Sequence, residues 1–226
     1  MKKTIFLAAI LIAALGFTGC GGSDKNGGSL KIDAKVENGA NYNNLVDEVR
    51  AVGYINWSGG KEDIIIATAP YKNGGFKITL PKKIDDRLLE YYYDMFSEVP
   101  YCTVSNKDVK STAIEEFQAF KNDSLVGRFY CVYKSPNTTV SCFYLFVDDD
   151  CKVSGSFSQT GGDGTIVEFI VDLNLKKGWN TTYYIVIKRV GIATIELTTK
   201  KPAFDLVWYF EHGSSSAPSK DAKPFK

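Results

Sequence analysis

Polar and apolar residues alternate with period two through most of this chain, and that period marks half-buried strands. Between residues 30 and 37, Leu30, Ile32, Ala34 and Val36 fall on one face, and Lys31, Asp33, Lys35 and Glu37 on the other. Val49, Ala51, Gly53, Ile55 and Trp57 repeat the pattern. Ile64-Ile65-Ile66-Ala67 is instead continuously apolar, as expected of a strand covered on both faces. Asn73-Gly74-Gly75 supplies a turn, and Phe76, Ile78 and Leu80 alternate again. Pro81 has no N–H for a ladder and ends that strand. Residues 153–157, 166–175, 181–190, 192–199 and 204–210 read as further strands, with turns over 147–152 and 160–164. Turns at such short intervals predict an all-β fold, a sandwich or barrel rather than βαβ units. No internal repeat of fixed period is present.

The middle of the chain is less regular. Residues 85–96 (DDRLLEYYYDMF) read as one or two helical turns with acids at the start, the alternative being an irregular aromatic connection. Ile114, Phe117 and Phe120 fit a helical face. The neighbouring strands and Asn122-Asp123 favour a strand entering a hairpin, and residues 113–121 are assigned as strand.

Residues 127–134 and 139–148 flank Ser135-Pro136-Asn137-Thr138. With Pro136-Asn137 as the central pair of a two-residue turn, Tyr133 faces Val140, Cys131 faces Cys142 and Phe129 faces Tyr144. The apolar sets then match on one face, which is what sets register. Opposed strand positions have close Cβ atoms, so a Cys131–Cys142 disulfide is sterically admissible. Two buried thiols acting as small hydrophobes are the other reading. A longer hairpin of shifted register is the alternative to this pairing. Cys102 and Cys151 are left unassigned.

The first twenty residues carry a different signal. Lys2 and Lys3 precede an apolar run from Thr4 to Gly16, closed by Phe17-Thr18-Gly19-Cys20. That run of 13 residues makes a helix of about 20 Å, shorter than a ~30 Å hydrocarbon core, which fits a signal peptide better than a membrane span. The stretch resembles the lipobox of bacterial lipoproteins. The resemblance implies cleavage after residue 19, acylation of Cys20, and an outer-membrane lipoprotein of the cell envelope, on its periplasmic or its surface face. Several acyl chains on one cysteine hold a protein to a membrane where a single chain does not.

Without residues 1–19 the chain loses two lysines, so 27 basic side chains become 25 against 26 acidic ones, a net charge of −1. A near-neutral body carries no strong field for nucleic acid. Gly21 to Ser29 is a flexible tether and residues 213–226 a disordered tail, by composition. The expected organisation is therefore a signal peptide (1–19), lipidated Cys20 and tether (20–29), an N-terminal β-domain (30–112), a C-terminal antiparallel β-domain (113–212) and the tail. The two β-sandwich-like halves would join near residues 105–121.

The stretch Ile64 to Pro81 (IIIATAPYKNGGFKITLP) is similar to a module of gut-bacterial surface and periplasmic lipoproteins, a transthyretin-like or carboxypeptidase-regulatory-like β-sandwich. Leu173 to Tyr184 (LNLKKGWNTTYY) resembles another recurring piece of such lipoproteins. The resemblance implies a small sandwich in the envelope and no catalytic residue.

The chemistry available is limited. His212 is the only histidine, which makes a zinc site or a Ser-His-Asp triad hard to build. Asp148-Asp149-Asp150 lacks the spaced pattern of a calcium loop and reads as a solvated turn. No metal and no cofactor are expected. Asp85, Asp86, Glu90 and Asp94 are the carboxylates that a glycan hydrolase would use, and the alternative function rests on them. The stronger lead is aromatic. Trp57, Tyr91, Tyr92, Tyr93 and Trp179 offer flat apolar rings with polar handles, and Trp179 follows Gly178 in a turn. The expectation is a non-enzymatic binding or scaffolding module that uses such rings on a glycan or a neighbouring envelope protein.

Overall fold

The computed structural model describes residues 28–57, 60–91, 101–213 and 223–224. The leader, Cys20 and most of the tail therefore lie outside the described residues. The fold is all-β, as the alternation requires. In chain order the strands are β1 (Leu30–Lys35), β2 (Glu48–Trp57), β3 (Gly60–Lys72), β4 (Gly75–Leu80), β5 (Glu90–Tyr91), β6 (Cys102–Val104), β7 (Lys110–Ile114) and β8 (Phe117–Lys121). They continue as β9 (Ser124–Lys134), β10 (Thr138–Val147), β11 (Cys151–Thr160), β12 (Ile166–Leu175), β13 (Gly178–Arg189), β14 (Ile192–Thr198), β15 (Val207–His212) and β16 (Lys223–Pro224). The helical turn expected near residue 85 is a 3-10 turn over Asp86–Leu88, capped by the Asp85 carboxylate, which accepts from the Arg87 amide.

Local chemistry accounts for the hairpins. Asn73 and Gly74 both take positive φ (54° and 77°), as do Asn122 and Asp123 (49° and 60°). Two successive positive-φ residues twist a tight turn the way antiparallel strands need. Gly75 must lack a side chain, since a Cβ there would stand 2.1 Å from the Ala34 carbonyl oxygen across the β1–β4 ladder.

The strands join in the order β1-β4-β3-β2-β8-β9-β10-β13-β14-β12-β11-β6. Two features depart from the sequence reading. The sheet is mixed rather than antiparallel, because β12 runs parallel to β14. β13 already holds β10 on one edge and β14 on the other, so β12 takes the remaining edge of β14 and runs in its direction. The second departure is at β9 and β10. They pair in the expected register from Lys134↔Thr139 to Cys131↔Cys142 and then part. Phe129 faces Phe117 and Phe210 instead of Tyr144, and Tyr144 faces Ile114 and Thr181. The chain between β7 and β8 enters as a wedge: β7 continues along β10, and β8 along β9.

Two cores result. The larger contains Leu30, Ile32, Phe76, Ile78, Phe117, Phe129, Tyr144 and Trp208, so it draws on both sides of the 112/113 boundary. The smaller contains Val104, Val109, Leu145, Val147, Val153, Leu173 and Leu175. β10 serves both: Val140, Cys142, Tyr144 and Phe146 turn to the larger, Leu145 and Val147 to the smaller. One strand can do this because its side chains alternate between faces.

Tyr71 ties β3 to the N-terminal loop. It is buried, stacks on Phe129, and its hydroxyl donates to the Gly39 carbonyl at 2.9 Å. Burial, helped by the neighbouring Tyr42, pushes its pKa up to about 12 from 10.0. The folded state thus prefers the neutral phenol. Its contribution is whole below pH 10 and is lost as pH rises from 10 toward 12, because the unfolded chain releases the proton first. The loss is expected to be on the order of 2 kcal/mol. Urea midpoints measured from about pH 9 to about pH 12 should fall in the wild type and flatten in Tyr71→Phe. An equal fall in both would remove Tyr71 as the cause.

Candidate functional site: a groove where two strands part

The wedge that separates β9 from β10 also shapes the surface behind them. Ile114 and Phe117 point into the larger core, and Glu115 and Glu116 between them sit on the rim of a groove of about 700 Å³. That volume lies within the usual range for ligand pockets. The floor crosses four strands in register: Val132 of β9, Ser141 of β10, Tyr184 of β13 and Leu197 of β14. Tyr130 and Arg128 are on the same face of β9, two and four residues back, as the period of two dictates. Cys131 and Cys142 border the groove, but their side chains belong to the core on the other face.

The groove is mixed in character. Tyr184 is 40 % exposed, and Phe143 and Leu197 extend the smaller core to its edge. Glu116 accepts from the Arg128 guanidinium at 2.9 Å, which holds both side chains at one wall. Glu211 of β15 stands opposite Arg128 in the ladder and lines the groove with Lys134. Tyr209, directly opposite Tyr130 on β15, adds a third partly exposed ring to this sheet face.

The sequence-predicted aromatics do not assemble here. Trp179 is buried, T-shaped against Phe146, and its Nε1 donates to the Pro81 carbonyl at 2.8 Å. It is a core residue, which corrects the expectation of an exposed ring. A turn position after glycine looked open, but residue 179 is already in β13, and a segment 98 positions away covers it. The side chains of Trp57 and Tyr91, and the whole of Tyr92 and Tyr93, lie outside what is described. Tyr130, Tyr184 and Tyr209 are not among the aromatics that the sequence singles out. The signal was present for Tyr130, which shares the non-core face of its strand with Arg128, Val132 and Lys134.

Cys131 and Cys142 are opposed as expected, both buried, and present as thiols. The Ser135 amide donates to the Thr138 carbonyl at 2.8 Å. Counting outward from that pair makes Cys131 and Cys142 a hydrogen-bonded position, where Cα atoms stand about 5.5 Å apart, within the span a disulfide can bridge. Cys102 faces Gly155, four residues along β11 from Cys151, or about 13 Å. Those two are too far apart to join.

The acids of the alternative reading are placed apart from the groove lining. Asp85 accepts from both the amide and the guanidinium of Arg87, and that hydrogen bond holds its carboxyl below the ordinary range. Asp86 and Glu90 are exposed on the 3-10 turn and β5, and Asp94 lies outside the described residues. Asp148, Asp149 and Asp150 each accept from a different backbone amide, and Asp150 also meets Lys176 at 2.8 Å. Among the described residues no group of three metal-ligating side chains converges. His212 closes β15, exposed, edge-on to Phe210.

Fold and groove together define a class: an all-β protein with a half-open, tyrosine-bearing groove on one sheet face. Neither a family model, a curated protein nor a solved structure matches the chain.

Proposed function

We propose that this chain is a lipid-tethered, non-catalytic binding module of the cell envelope whose groove receives a glycan. The observation that carries the reading is the placing of Tyr130 and Tyr184 on one face beside Glu115, Glu211 and Arg128. Sugars present flat C–H faces that pack on aromatic rings, and hydroxyls that donate to carboxylates and accept from guanidinium. The tyrosine hydroxyls serve both roles. Concave sites with apolar floors and a few convergent polar groups are the usual form of small-ligand sites.

A glycan array probed with the full chain tests the groove. Binding to a defined set of oligosaccharides is expected, and an array with no specific signal ends the reading. The tether is tested separately, by mass analysis of the protein from its membrane. The lipobox-like stretch leads us to expect a chain that begins at an acylated Cys20. An intact Met1, or an unmodified sulfur at residue 20, overturns it.

A further inference from the structure

A second feature lies at the end of the molecule where β13 turns into β14, and it does not rest on the groove. The turn is Val190-Gly191, closed by Arg189 opposite Ile192. Positive φ is needed only at Gly191 (74°), which leaves residue 190 at the position that favours proline or a small polar side chain. A β-branched apolar residue stands there instead, and it is fully exposed. One exposed valine is ordinary. This one is not isolated. The Ile166 amide donates to the Gly191 carbonyl at 2.9 Å, which brings the start of β12 to the same tip, and Ile166 is 42 % exposed. Ile192 lies beside it in the parallel ladder.

The charges at the tip point the same way. Lys188 and Arg189 are exposed, and among the described residues neither forms an ion pair. The Lys188 amide donates to the Asn137 carbonyl, which places the β9–β10 turn, with exposed Lys134, at this end as well. Two carboxylates also stand near this end, Asp163, which accepts from the amide and hydroxyl of Thr165, and Glu168, which accepts from Thr194, against the three cations Lys134, Lys188 and Arg189.

We infer that this tip docks on an anionic phospholipid surface, with Val190 and Ile166 entering the headgroup layer and Lys188 and Arg189 meeting lipid phosphates. The shape selects this occupant over a protein. Three apolar side chains on a convex turn cover a few hundred Å² at most, against about 800 Å² per partner in a stable protein interface. A shallow insertion needs only a small apolar prow flanked by cations.

The test is hydrogen exchange on the full chain mixed with vesicles of phosphatidylcholine alone, or of phosphatidylcholine and phosphatidylglycerol in equal parts. Exchange at residues 189–192 is expected to slow several-fold on the anionic vesicles only. The double variant Lys188→Gln/Arg189→Gln should abolish the slowing, each charge being worth about fivefold in membrane partition. Val190→Ser should reduce it. Unchanged protection in β10 and β13 shows that the variants are folded. Equal rates at the tip on both vesicle types, or slowing that survives in the double variant, overturns the inference.

Discussion

Phe129→Ala is expected to destabilise the protein by about 4 kcal/mol, and to do so in both halves of the chain at once. Phe129 is fully buried. Its ring lies 5.3 Å from Tyr71 and 5.3 Å from Phe76, which come from β3 and β4, and 5.1 Å from Phe210 of β15. In the ladder it stands between Phe117 and Phe210. Truncation leaves a cavity walled by rings that the backbone holds in place, and such sites collapse poorly. The informative readout is regional. Urea unfolding followed by hydrogen exchange should show β3 and β13 losing protection in one transition, shifted equally by the mutation. If β3 kept its wild-type midpoint while β13 lost stability, the larger core would not be one cooperative unit.

Tyr184→Ala is expected to weaken binding of any glycan found on the array by roughly thirtyfold, the scale of an interface hot spot, and to leave the free energy of unfolding in urea within about 0.5 kcal/mol of wild type. The two effects separate because the ring is 40 % exposed yet sits mid-floor between Ser141 and Leu197. Tyr184→Phe keeps the stacking face and loses only the hydroxyl, so it should fall between the two. Arg128→Ala is a poorer probe, since it also releases Glu116. A ligand that bound Tyr184→Ala as tightly as wild type would move the site away from this groove.

The groove shows how far the pattern of residues reaches. Arg128, Tyr130, Val132 and Lys134 share the non-core face of a strand recognisable from alternation alone, and the Cys131–Cys142 register follows from the two-residue turn. Nothing in that pattern says that β9 and β10 separate beyond Cys131. Phe129 and Tyr144 are both apolar, so facing each other would satisfy the alternation equally well. They part because Phe117, brought in by the wedge, packs against Tyr144 at 5.8 Å and takes the place beside Phe129 in the ladder. Trp179 teaches the same lesson in reverse. Its neighbours in sequence suggest an exposed turn, and its surroundings in space are Phe146 and the Pro81 carbonyl.

What the chain determines by itself is therefore local: the strands, the positive-φ hairpin turns at Asn73-Gly74 and Asn122-Asp123, and the register of β9 against β10 near their turn. Each depends on residues within a few positions of one another, where period and turn chemistry act directly. The tertiary structure alone decided the parallel β12–β14 pair, the core shared across residue 112, the burial of Trp179 and the groove. Those depend on which strand edges remain open once others have paired, and two edges with the same alternation compete equally until long-range packing selects between them.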